Sequence, residues 1–153
     1  MVTDLLSSIL QELGDAIHLP GLQPDSNNTC LIHFKKGVDV QIEMDKKGDA
    51  LIVGIDLGDV PVGRYRENVF RELLKANGAP LPRIGVFGYS LQERHVVLFE
   101  MMPLEGISGK KVAELLPTLI DKALIFKDAI THGDLPTFVK SGTPVSSNIF
   151  GIR

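Results

Sequence analysis

The chain has 153 residues, 44% of them hydrophobic, and carries a formal net charge of −3. That length and apolar content suit a single core of ordinary size. The mild acidity gives no electrostatic reason to expect nucleic acid or anionic lipid, and no apolar run approaches the roughly 20 residues of a membrane-spanning helix, so the expected partners are proteins or small molecules.

The first residues, Met1-Val2-Thr3-Asp4, lack a basic segment followed by an apolar one, which points to a cytoplasmic chain. Thr3 is placed to cap a helix running to about Ile17, with Asp4 in its first turn. Leu5, Leu6, Ile9, Leu10, Leu13, Ala16 and Ile17 fall within an arc of roughly 140°, wider than one packing face needs. Two readings stay open. Either Leu6, Leu10, Leu13 and Ile17 face the core while Leu5, Ile9 and Ala16 meet a partner at the margin, or all seven pack on a sheet.

Next comes Pro24-Asp25-Ser26-Asn27-Asn28-Thr29-Cys30, where Asn27-Asn28-Thr29 matches a glycan acceptor site. Without an export signal it reads as a polar connection, and the lone Cys30 reads as a buried thiol that forms no internal disulfide.

A strand over 30–34 and a turn at Lys35-Lys36-Gly37 lead to Val38, Val40, Ile42 and Met44, which alternate with Asp39, Gln41, Glu43 and Asp45. A third strand over 50–58 completes an antiparallel meander. The second helix is predicted over 64–76 and ends at Asn77-Gly78. Its apolar residues Tyr65, Val69, Phe70, Leu73, Leu74 and Ala76 cover almost half its circumference, which asks for a second contact surface. Strands over 83–90 and 95–102 form a hairpin, and the latter is apolar on both faces and therefore central. The last helix starts near Ser108 and stops at His132-Gly133, with Pro117 kinking or dividing it. Residues 134–153 are rich in Gly, Pro, Ser and Thr and read as an irregular tail pinned by Phe138 or by Ile149 and Phe150.

Catalytic and metal-binding patterns fail at identifiable positions. Leu104-Glu105-Gly106-Ile107-Ser108-Gly109-Lys110-Lys111 resembles a phosphate loop, but Leu104 and Lys111 stand where glycine and Ser/Thr are required. Asp45 and Asp49 flank a glycine without the further ligands of a calcium loop. His18, His33, His95 and His132 share no metal-ligand spacing with one another or with Cys30. Cys30 and His33 point to opposite faces of a strand, no Gly-x-Ser-x-Gly elbow occurs, and Asp56 and Asp59 suit solvated strand ends. The expectation is a non-enzyme without metal or cofactor. A deep pocket lined by Tyr89, His95 or Glu100 would point instead to a small-molecule enzyme.

The predicted order is α-β-β-β-α-β-β-α, an α+β fold with a five-stranded antiparallel sheet and three helices. With the amphipathic Leu5–Ile17 helix, the polar connection into Cys30–Phe34, the alternating Val38–Asp45 strand, the Tyr65–Gly78 helix and the long closing helix, this order resembles the class I type III secretion chaperones, the Tir-chaperone or CesT/SycE-like family. The resemblance implies a chaperone domain over 1–133 and a tail over 134–153. It implies a non-catalytic homodimer, or a heterodimer with a related chaperone, in the bacterial cytoplasm, holding the N-terminal segment of a secreted effector in a secretion-competent state. It places the dimer contact at Tyr65, Val69, Phe70, Leu73, Leu74, Ile84, Val86, Phe87 and Tyr89, and effector binding at Leu5, Ile9, Leu31 and His33. The alternative is a dimeric adaptor or regulatory domain that binds a folded partner.

Overall fold

The computed structural model describes residues 2–138, with side chains from residue 5 onward. The first helix begins at Val2, so Thr3 lies within it and not at its N-cap, where it is expected from the sequence; the pinning roles of Ile149 and Phe150 lie outside the described residues. Eight elements follow in the expected order: α1 (Val2–Ala16), β1 (Thr29–Phe34), β2 (Val38–Met44), β3 (Ala50–Gly58), α2 (Arg64–Asn77), β4 (Val86–Ser90), β5 (His95–Pro103) and α3 (Gly109–His132). The strands form one antiparallel sheet in the order β1-β2-β3-β5-β4, which leaves β1 and β4 at the edges.

Period-two alternation sorts the sheet into two faces. Ile32, Val40, Ile42, Leu51, Val53, Ile55 and Leu98 are buried beneath α1 and α3, together with Leu10, Leu13, Leu119 and Phe126 from those helices. Cys30 belongs to this core, and burial, then the nearby Asp25 carboxylate, raises its thiol pKa. The opposite face carries Leu31, Gln41, Gly54, Phe99 and Val86 in one row across all five strands.

Gly109 sets how closely α1 and α3 approach. A Cβ there would collide with Glu12 Cβ and with the Leu13 and Ile9 backbone, while the Gly109 N–H donates to Glu12 Oε2 at 3.0 Å. The helix it opens is capped by Ser108, whose Oγ accepts from the Lys111 N–H at 3.2 Å. α3 then runs unbroken through Pro117, so of the two expectations there, a kink or a division, the division does not occur. Packing against the sheet outweighs the one backbone hydrogen bond that proline deletes. At the far end Gly133 adopts φ 72°, and the Asp134 N–H returns to Ala129 O at 2.9 Å.

β4 starts at Val86, three residues later than the predicted 83. Gly85 takes φ 85°, and its N–H goes to Glu100 Oε2 at 2.6 Å instead of continuing a ladder. Past α3 the chain turns back toward α2 and β4: Asp134 O accepts from the Tyr65 hydroxyl at 2.7 Å, and the Phe138 ring lies 4.9 Å from that of Phe87.

Candidate partner-binding surfaces

α2 lies along β4 and divides its broad apolar face between two tasks. Val69 and Leu73 turn inward and, with Phe87, are buried in the chain's own core. Leu74 is 71% exposed and Tyr89 37% exposed. Tyr65, Phe70, Ile84 and Val86 are half-buried. The Phe70 and Tyr89 rings stand 5.6 Å apart, and the Arg66 guanidinium lies 5.9 Å from the first centroid and 6.0 Å from the second. Arg66 is fixed there by Asp59 at 2.7 Å and by Val60 O at 2.8 Å. Phe70, Leu74, Asn77, Phe87 and Tyr89 surround an apolar pocket of about 180 Å³. An exposed, aromatic-rich apolar patch of this kind suits a protein partner.

The two sheet edges differ. In an antiparallel strand alternate residues turn their N–H and C=O away from the neighbouring strand. On β1 these are Thr29, Leu31 and His33, because both backbone groups of Thr29 bond outward to Asp25, the N–H to Oδ1 at 3.0 Å and the C=O to the Asp25 N–H at 2.8 Å. Leu31 and His33 follow with no such partner among the described residues. On β4 the corresponding residue, Phe87, donates its N–H to Asn77 Oδ1 at 2.8 Å and accepts from Asn77 Nδ2 at 2.9 Å.

The expected client-facing residues separate accordingly. Leu31, 50% exposed, and His33 stand together on the uncovered sheet face and also present the free backbone of the β1 edge. Leu5, 40% exposed, projects from α1 on the helical side of the sheet. Ile9 is corrected: at 2% exposure it is core, enclosed where α1 meets α3, and has no surface to offer a client.

Sequence reasoning missed a groove of about 380 Å³ at the end of β1, lined by Ile17, Phe34, Ala113, Leu116, Pro117 and Ile120 and bordered by Lys35 and Lys36. The half-buried state of Ile17 and Phe34 depends on helices far away in sequence, so no local pattern marked the site.

The uncovered face pairs apolar Ile52, Val97 and Phe99 with Asp39, Glu43 and Asp56, and no strand among the described residues contains lysine or arginine. Two histidines meet these carboxylates: His33 Nδ1 lies 2.7 Å from Asp39 Oδ1, and His95 Nδ1 lies 3.0 Å from both Asp56 oxygens. The Asp56 hydrogen bond, followed by a weaker opposing desolvation and the charge of Asp56, raises the His95 pKa. Desolvation pushes Asp56 upward, but hydrogen bonds from His95 and the Gly58 N–H outweigh it and bring its pKa below the ordinary carboxylate value.

The chain that builds this free strand edge and these apolar surfaces is matched over residues 8–127 by the model of the Tir chaperone protein (CesT) family. The chain belongs to the Tir chaperone (CesT) family. This is a family of non-catalytic chaperones that serve type III secretion.

Among solved structures the fold is similar to a chain of the HopA1-SchA chaperone-effector complex, at TM-score 0.62 and 14% identity over 82% of this chain and 94% of that one. It is also similar to a chain of the ExsC-ExsE complex, at TM-score 0.63 and 18% identity over 84% and 95%. A third match is to the structure of the Yersinia pestis type III secretion chaperone SycH with a fragment of YscM2, at TM-score 0.59 and 17% identity over 78% and 97%. Among proteins with curated descriptions, none matches the chain. No described helix is long and apolar enough to cross a membrane.

Proposed function

We propose that this chaperone acts as a dimer in the bacterial cytoplasm, binding the N-terminal segment of a secreted effector and keeping it extended and competent for secretion. The observation that carries the reading is the free edge at Leu31 and His33, continuing toward the apolar groove beside Phe34, in a chain of this family. An extended client segment gains main-chain hydrogen bonds at such an edge and seats alternate side chains in adjoining apolar sites. Leu5 and Leu31 are the apolar contacts proposed for the client, and His33 a polar one. HopA1-SchA, a chain of which shares the fold, is a chaperone-effector complex, and the type III secretion chaperone SycH holds a fragment of YscM2, which supports a protein partner of that kind here.

The second copy takes the α2–β4 patch, with exposed Leu74 and Tyr89 and half-buried Phe70 at its centre and Tyr65, Ile84 and Val86 around them. Val69, Leu73 and Phe87 support this surface from below. Residues 1–133 form the chaperone domain, with 134–153 as an appended tail.

The test is affinity purification of the tagged protein from its native cytoplasm, with the co-purifying protein identified by mass spectrometry. Recovery of a larger secreted protein, reduced several-fold by Leu31→Asp with the fold intact, supports the reading. A chain that emerges alone, or a partner whose capture is indifferent to Leu5 and Leu31, contradicts it.

A further inference from the structure

The two edges of the sheet are treated differently by the rest of the molecule. Along β4 as far as Phe87, and at the two residues before it, backbone groups are already occupied by side chains from three other elements. Glu100 on β5 takes the Gly85 N–H at 2.6 Å. Lys122 on α3 donates to Ile84 O at 3.0 Å and Gly85 O at 3.3 Å, with its ammonium 5.4 Å from the Phe87 ring centroid. Asn77, the last residue of α2, engages both the N–H and the C=O of Phe87. A carboxamide meeting a residue in this way reproduces the donor–acceptor pair of a neighbouring strand residue. Beyond Phe87 the next outward residue is Tyr89, next to the hairpin turn, too short a run to pair a strand.

We propose that Asn77 determines edge specificity, acting as a one-residue strand mimic that closes β4 to strand addition and leaves β1 as the edge that accepts an extended client. The inference rests on the client-binding reading for what β1 accepts, but the closure of β4 is a property of the protomer. It also sets how two copies meet: through the side chains of Phe70, Leu74 and Tyr89, and not by running two sheets together at β4. Asn77 is a positioning residue in this account, since it touches Phe87 and not the client.

The probe is an alternating Val–Thr octapeptide, N-methylated at every second residue so that one edge alone can pair and it cannot stack on itself. Binding to the full chain is followed by titration calorimetry, with hydrogen exchange at the Phe87 amide as the local readout. The wild-type protein is expected to bind one peptide per protomer, and Leu31→Pro, which removes an edge donor without disturbing β2, abolishes this binding. In Asn77→Ala the Phe87 amide exchanges faster while those of Val69 and Leu73 do not, and a second site appears that survives Leu31→Pro. Asn77→Asp keeps the acceptor and loses the donor, so it falls between the two and provides a milder variant if alanine unsettles α2. An exposed Phe87 amide with no second site overturns the proposal and leaves Asn77 as a structural tie. Wild-type binding that persists in Leu31→Pro overturns it too, because β4 would then be open already. A wild-type protein that binds no peptide while Asn77→Ala binds one would uphold the closure and refute strand addition at β1.

Discussion

Leu5 and Ile9 are one helical turn apart on α1, yet one is 40% exposed and the other 2% exposed. Leu5→Ser should leave stability within about 0.5 kcal/mol of wild type, whereas Ile9→Ser should cost about 3 kcal/mol through lost burial, a cavity and an unsatisfied hydroxyl. Urea unfolding of both variants measures the difference, and equal losses would contradict the assignment of Ile9 to the core.

The His95–Asp56 pair gives a second residue-scale expectation. A raised His95 pKa contributes stability that is complete below the unfolded histidine value and lost as pH rises through the folded one. A lowered Asp56 pKa contributes stability above the unfolded carboxylate value and loses it as pH falls through the folded one. The two overlap between about pH 4 and 6.5. The melting-temperature gap between wild type and His95→Asn should be widest there and close by about pH 9. A gap that does not change with pH would remove the ion pair as its cause.

At the scale of elements, periodicity read well because each strand and helix here has a long, regular apolar pattern. The alternation from Val38 to Met44 could belong only to a half-buried strand, and Ser108 and Gly133 bracketed α3 with the expected cap geometries. Pro117 was harder to place, since whether a proline breaks a helix depends on how much packing lies on both sides. The start of β4 was misjudged because the Gly85 N–H is taken by Glu100, fifteen residues away and invisible to local pattern. The same reason hid the close approach at Gly109, a contact with α1 on the far side of the sequence. Gly109→Ala should force α1 and α3 apart and cost about 3 kcal/mol. Gly133→Ala, strained by its positive φ alone, should cost about 1 kcal/mol. Comparable losses for both would mean that the helices do not meet at Gly109.

For the molecule as a whole, the excess apolar width of α2 was legible and its consequence was not fully so. The family resemblance implied nine contact residues, but separating those that turn inward, such as Val69 and Leu73, from those that stay open, such as Leu74, required the sheet to be in place. The free edge and the groove beside Phe34 are likewise products of tertiary assembly, as strand order and helix crossing create them. Phe70→Asp and Leu74→Asp should each place an unpaired charge at the contact between copies. Light scattering is expected to give twice 16.7 kDa for the wild type and 16.7 kDa for either variant. An unchanged dimer in both would remove α2–β4 as the interface.

The measurement that tests the account most directly is limited proteolysis of the chaperone–client complex, with the protected client fragments identified by mass spectrometry. Protection confined to an N-terminal segment of the client, in a complex containing two chaperone chains, is the predicted result. A client protected throughout its fold would contradict the account and make the protein an adaptor for folded partners.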